Sequence, residues 1–328
     1  MIPYKVNPFG ITKDKGYFEL VVKPGILGAS LEYAFRVQWN MGGYLHVIDW
    51  GDGYSQNSPT SGGNQYKHTY AQAGTYVIKM RGKDCWRIEC GYNTVAYTNI
   101  VWDCNGNWNA LGNITSLSTT FAACKWAEFD SLKELPDNVT IATNAFYNCM
   151  SAKLQFAKLP SRLQTAVYMF YGCFNGKLPI SKLPENLGDM RFMFQNCYLA
   201  ELPLDGLPSG LSGNQQSAFN GCNSSRMNIS SLPDGITTGN NMFTSCRSAN
   251  FTFKKLPSSL TSAVSMFSSV YSAINISELG NTTYNNLTTI QNLFYGSHWV
   301  YGSRSKFLAA CPNVTTTSYA FDGTNTTE

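Results

Sequence analysis

A phenylalanine returns along this chain at a nearly constant interval. It stands at Phe121, Phe146, Phe170, Phe194, Phe219, Phe243, Phe267, Phe294 and Phe321, spaced by 25, 24, 24, 25, 24, 24, 27 and 27 residues. A Leu-Pro pair keeps the same period, at Leu135, Leu159, Leu183, Leu207, Leu232 and Leu256 with the prolines that follow them. Three residues after the first six phenylalanines come Cys124, Cys149, Cys173, Cys197, Cys222 and Cys246, and the last three units place Val270, Ser297 and Thr324 there. A unit of this length is too short to enclose a core. It buries its apolar face only against its neighbours, so the expected structure is a quasi-one-dimensional stack with one short strand and one return per unit.

The strand is expected between the cysteine and the Leu-Pro. Apolar residues alternate there as Leu154/Phe156, Leu178/Ile180, Leu202/Leu204, Met227/Ile229, Phe251/Phe253 and Ile274/Ile276, and a period of two sends each pair inward. Proline then ends the strand, because it cannot donate to the ladder. The segment around the phenylalanine is expected to be a short helical or 3₁₀ return. Nine coils at about 4.8 Å each give a solenoid of roughly 40 Å.

The residues alternating with the inward pairs face outward. The candidate ligand-binding residues on this face are Lys153, Gln155, Lys177, Glu201, Arg226, Asn228, Asn250, Thr252 and Asn275, with Pro179, Pro203 and Ala273 among them. Their chemistry varies from unit to unit while the inward positions stay apolar. Two readings follow: a merely solvated face, or an extended ligand surface presenting side chains in register. Pro179 and Pro203 each remove a backbone donor from that sheet.

The six repeat cysteines are read as a structural ladder. Cysteine is small, readily buried and a weak S–H donor. Stacked strands bring such residues near bridging distance, but their Cβ vectors run parallel rather than converging, so unbridged thiols are expected. Val270 at the same position argues against a metal ligand or nucleophile. Cys85, Cys90, Cys104 and Cys311 lie outside the series. A Cys85–Cys104 bridge stays open, with free thiols expected if the chain assembles in a reducing cytoplasm.

The unit "LPSRLQTAVYMFYGC", residues 159–173, and the unit "LPENLGDMRFMFQNC", residues 183–197, resemble the BspA-like leucine-rich repeats, whose pattern runs Leu-Pro, an apolar residue, Ala/Met-Phe, then Gly/Asn-Cys. The resemblance covers about residues 111–328. It implies surface adhesion and ligand binding rather than catalysis. Residues 298–328 depart from it, with longer units and no cysteine at the repeat position, as a capping end would.

The first hundred residues follow another pattern. "VIDWGDG", residues 47–53, and "YKHTYAQAGTYVIKMRG", residues 66–82, resemble polycystic-kidney-disease (PKD) type domains, which are immunoglobulin-like β-sandwiches. The resemblance covers about residues 15–103. "YFELVV", "YAFRVQW" and "TYVIKM" alternate as strands between glycine and aspartate turns. Asp49 and Asp52 are turn stabilisers or, in the alternative, calcium ligands.

Composition narrows the function. Charged residues make up only 13% of the 328, the net charge is +4, and no dense basic run occurs, so nucleic acid is not an expected partner. The first twenty residues lack a signal-peptide pattern and no apolar run reaches the length of a membrane span. The three histidines show no metal spacing, and no Cys-x-x-Cys, phosphate loop or nucleophile elbow occurs.

The expectation is therefore a mainly β chain that is not an enzyme and takes no cofactor. An N-terminal arm, 1–14, precedes an immunoglobulin-like sandwich, 15–103. A leucine-rich-repeat solenoid of about nine coils, 104–297, and a capping repeat, 298–328, complete it. The expected role is a bacteriophage virion surface protein: a capsid decoration, head-fibre or tail-associated protein used in host attachment. The alternative is a bacterial cell-surface or secreted adhesin. Expected partners are virion or cell-surface proteins and surface polysaccharide, without membrane insertion, and an oligomer is compatible.

Overall fold

The computed structural model describes residues 16–57, 64–91 and 100–328. The expected arm, 1–14, lies outside the described residues. The chain divides into two compact units, Met1–Phe156 and Ala157–Glu328. Both are mainly β.

The first unit begins with a six-stranded antiparallel sheet. Its strands are β1 (Phe18–Val22), β2 (Glu32–Asp49), β3 (Ser55–Gln56), β4 (Asn64–Thr69), β5 (Tyr76–Glu89) and β6 (Val101–Cys104), in the order β3-β2-β5-β1-β6 with β4 also on β2. All five residues of β1 are buried, which suits a strand between two neighbours with both faces covered. Aromatic residues fill the core: Phe35 lies 5.6 Å from Trp50 and 5.4 Å from Tyr66. The buried hydroxyls are satisfied, Tyr33 donating to the Cys90 carbonyl at 2.8 Å and Tyr70 to the Trp50 carbonyl at 3.0 Å. Gly51, in the Trp-Gly-Asp-Gly turn, holds φ +81°, and a Cβ there would stand 2.6 Å from the Val77 carbonyl. Both facts demand glycine.

Strand β5 outruns β1 and becomes the first rung of the repeats. The Thr115 and Ser116 N–H groups donate to the Trp86 carbonyl, and the Cys90 and Gly91 N–H groups donate to the Thr120 carbonyl. Arg87 pairs in parallel with Ser116, and Ser116 with Ile141. The otherwise open end of the repeat ladder is thereby covered by a strand of the sheet.

In the second unit each repeat carries two short ladders rather than the single strand expected. One lies between the Cys position and the Leu-Pro, as expected. It pairs Lys177 with Glu201, Asp205 with Asn228, β8 (Asn228–Ile229) with β10 (Asn250–Phe251), β11 (Ile274–Asn275) with β12 (Val300–Ser303), and β12 in turn with β13 (Asn325–Thr327). The other precedes the phenylalanine. It pairs Thr165 with Asp189, β7 (Gly213–Asn214) with β9 (Ile236–Thr238), and then Thr238, Ser262, Thr289 and Thr316 in succession. All these pairs are parallel. The second ladder escaped the sequence because its residues do not alternate.

The return through the phenylalanine is not helical. Two residues before and two after each phenylalanine the backbone turns left-handed: Tyr168 and Gly172 around Phe170, Phe192 and Asn196 around Phe194, Ser217 and Gly221 around Phe219, Asn241 and Ser245 around Phe243. This alternation turns every second N–H toward the next repeat. Phe192, Phe194 and Asn196 donate to the carbonyls of Gln216, Ala218 and Asn220 at 2.8–3.1 Å. A helix would spend those donors internally. The need for φ > 0 accounts for the glycines and asparagines just before the cysteine position at Asn148, Gly172, Asn196 and Gly221.

The phenylalanines stack face over face. Ring centroids are 5.4 Å apart from Phe170 to Phe194, Phe219 and Phe243 in turn, with interplanar angles of 14°, 9° and 3°. Two short helices, α1 (Ile276–Leu279) and α2 (Arg304–Ala309), take up the extra length of the last two intervals. Their N-termini are capped by Asn275, accepting from the Ser277 N–H, and by Ser303, accepting from the Lys306 N–H.

Candidate binding face

The outward residues of the Cys-to-Leu-Pro ladder are solvent-exposed at Lys153, Gln155, Lys177, Glu201, Arg226, Asn228, Asn250 and Thr252, whereas Asn275 is half-buried. In the first unit the face is internally paired: Lys153 reaches Glu128 at 3.6 Å, and Gln155 reaches Asp130 at 3.4 Å. In the second unit Lys177 and Glu201 are neighbours across the ladder. The register then departs from the equal spacing that the sequence implies. Asn250 sits beside Asn228, its Nδ2 3.4 Å from the Asn228 Oδ1, and Asn228 sits beside Asp205. Arg226 is therefore not the cross-ladder partner of Asn250. Asn275 caps α1 with its side chain and is withdrawn from the face.

Three residues on this face were not anticipated. Asp205 enters because the ladder continues beyond the Leu202/Leu204 pair. Tyr301, paired with Asn275 and 47% exposed, and Trp299, 60% exposed, bring large aromatics onto it. No repeat position marks these two in the sequence, because the last unit is longer.

The ten cysteines are free and buried. Four of the six repeat thiols point at the phenylalanine carbonyl of the preceding repeat, while Cys124 in the first repeat meets the Ala122 carbonyl at 3.9 Å. Cys149 donates to Phe121 at 3.0 Å, Cys197 to Phe170 at 3.1 Å, Cys222 to Phe194 at 3.0 Å and Cys246 to Phe219 at 3.0 Å. Ser297 makes the same bond to Phe267 at 2.7 Å. The position thus takes a small buried side chain, usually with a donor, and Val270 fills it without one. Burial pushes the thiols of Cys149, Cys197 and Cys246 well up, so none is a ready thiolate for attack or metal binding.

Residues 118–201 and 167–300 match the family model of the BspA type leucine rich repeat region, built of six copies. The chain belongs to this family. No curated protein and no solved structure matches it.

Away from the ladder face of the BspA-type repeats two further places carry polar groups. In the sheet, Asp49 accepts from the Gly51 N–H at 2.9 Å and Asp52 from the Tyr54 N–H at 3.1 Å, each bracing the turn. Asp52 also meets His68 Nε2 at 2.6 Å, with the imidazole stacked against Trp50 and Tyr54. Desolvation opposes ionisation of Asp52, but the hydrogen bonds from His68 and the Tyr54 N–H outweigh it and hold the carboxyl below its usual value. Among the described residues no group of three or more His, Cys, Asp or Glu side chains is placed to hold a metal ion, and no helix is long and apolar enough to cross a membrane.

The second place is an open cleft of about 470 Å³ beside the first repeat, floored by Trp108, Ile114 and Leu135 and rimmed by Asn109, Asn113 and Asn138. Asn138 donates to Asn113 at 2.8 Å across that rim, so part of its polar capacity is already used.

Proposed function

We propose that the chain is a non-catalytic, surface-displayed binding protein whose repeats present the ligand-binding face and whose N-terminal sheet is the mounting module. One observation carries the reading. The inward positions and the Phe and Cys positions are each tied to one packing role, while the outward face is exposed, chemically varied and held in register by the ladder. Such a surface meets an extended partner through many small contacts.

In the finer reading the repeats form one solenoid of about nine coils, 104–297, closed by the capping segment 298–328. The sheet is a PKD-type, immunoglobulin-like module, which the Trp50-Gly51-Asp52-Gly53 turn braced by His68 and Tyr70 supports. The site of display is a bacteriophage virion. Ten buried, unbridged cysteines suit a chain that folds in a reducing cytoplasm before assembly. A bacterial surface adhesin is the second reading, favoured by the repeat family itself.

The test of the binding face is the double variant Asn228→Ala/Asn250→Ala in an assay of adhesion to bacterial cells. Adhesion is expected to fall while thermal stability stays unchanged. Unchanged adhesion would move the ligand elsewhere. Mass spectrometry of purified phage particles against cell-wall fractions separates the two sites of display.

A further inference from the structure

The residue directly after the Cys position forms a second row in the unit Ala157–Glu328, exposed except at the half-buried Asn223. It runs Phe174, Tyr198, Asn223, Arg247 and Tyr271, after Cys173, Cys197, Cys222, Cys246 and Val270. Phe174 and Tyr198 are each 37% exposed and Tyr271 is 49% exposed. The planar groups of neighbouring repeats already lie against each other. Phe174 and Tyr198 are 5.4 Å apart, and the Arg247 guanidinium lies 5.3 Å from the Tyr271 ring centre. The backbone holds this spacing, for Leu199 donates to the Phe174 carbonyl at 2.9 Å and Ser224 to the Tyr198 carbonyl at 3.2 Å.

None of these rings is needed for the core, which the stacked phenylalanines fill. Three residues further on stand the exposed Lys177, Glu201, Arg226 and Asn250. A row of planar groups, three aromatic rings interrupted by Asn223 and Arg247, thus runs beside a strip of charged and amide groups, both at one step per repeat. In the middle, Asn223 Oδ1 and Ser225 Oγ are buried with no hydrogen-bond partner among the described residues, and buried polar atoms are normally satisfied.

We propose that this row binds an extended polysaccharide, resting on the proposal that the repeats are the binding region. Each pyranose offers a C–H face to a ring and hydroxyls to the polar strip, and a sugar in an extended chain is close in length to the repeat step of about 4.8 Å. A protein partner fits the row poorly. Protein interfaces need about 800 Å² per side around a contiguous apolar centre. Here the apolar strip is one side chain wide and is broken by Asn223 and Arg247.

The experiment is affinity electrophoresis of the full chain through gels cast with soluble hydroxyethylcellulose, alginate, xylan or galactan. At least one is expected to retard the chain. The Phe174→Ala/Tyr198→Ala variant should bind that polymer about tenfold more weakly, the loss of two ring contacts. Tyr319→Ala, an exposed aromatic outside the row, should match the unchanged chain. Retardation by none of the four, or equal retardation of the double variant, overturns the proposal. So does cell adhesion that survives periodate oxidation of the cells but not protease treatment, which would assign the row to a protein. If Asn228→Ala/Asn250→Ala abolishes adhesion while no polysaccharide binds, the binding-face reading stands and this one falls.

Discussion

The N-terminal sheet and the repeats of the second unit satisfy their backbones by opposite means. The sheet relies on long antiparallel strands, 18 residues in β2 and 14 in β5. The second unit contains no described strand longer than four residues, and its turns bond to the turns of the next repeat instead. The sheet's cost lies in assembling distant segments, while the repeats' cost lies in local conformation. Before residue 115, Leu27 and Asp84 are the non-glycine residues at positive φ among those described, whereas every repeat of the second unit places at least one non-glycine residue there, and those around Phe194, Phe243 and Phe267 place two. A damaged contact in the sheet therefore touches one place, and a damaged repeat position touches both neighbours.

The largest expected effect breaks the phenylalanine stack. Phe219→Ala should cost about 3–5 kcal/mol, because it leaves a cavity in the middle of the stack, between the Phe194 and Phe243 rings. Hydrogen exchange should show lost protection in the repeats flanking residue 219 and retained protection in β1. Uniform loss across β1 would mean that the two regions are one cooperative body and would erase the contrast.

The next effect sharpens the conformational difference. Asn196 sits at φ +63°, so Asn196→Val should cost about 1–2 kcal/mol in urea unfolding, and Asn196→Gly only a few tenths. Equal losses in the two variants would show that the asparagine side chain, rather than the left-handed backbone, is what the position needs.

Much of this was legible in the sequence, for particular reasons. The inward pairs of the strand showed because period two is a strong signal, and the family pattern showed because one motif is iterated. The second ladder and the left-handed turns were not legible. Thr238, Ser262, Thr289 and Thr316 carry no apolar alternation, and Tyr168, Phe192 and Tyr319 are bulky residues that no turn preference places at positive φ. The register of the face was hidden for a similar reason. The strands shift by two residues between Glu201 and Asn228, and only backbone pairing reveals that Asp205 belongs to the row and that Asn275 leaves it for a helix cap.

A smaller effect separates packing from hydrogen bonding at the cysteine position. Cys197→Ala should cost about 1–2 kcal/mol, and Cys197→Ser less, since a hydroxyl there reaches the Phe170 carbonyl as Ser297 reaches that of Phe267. Identical losses would mean that volume alone selects the residue. The smallest effect lies in the sheet. The depressed Asp52 carboxyl contributes stability that is present above its unfolded value, near pH 4, and is lost as the pH falls through its folded value. Asp52→Asn should flatten this acid-side slope in thermal scans between pH 2 and 5, roughly the range of carboxylate titration. An unaltered slope would discharge the His68 contact of any role.

The central claim is that the repeats, not the sheet, meet the ligand. Hydroxyl-radical footprinting of the full chain, with and without an isolated bacterial envelope fraction, tests this most directly. Exposed aromatic and methionine side chains report on both regions at once. The account predicts protection at Phe174, Tyr198, Tyr271 and Trp299, with Met41 and Tyr54 oxidised as in the free chain. Protection confined to Met41 and Tyr54 would contradict it.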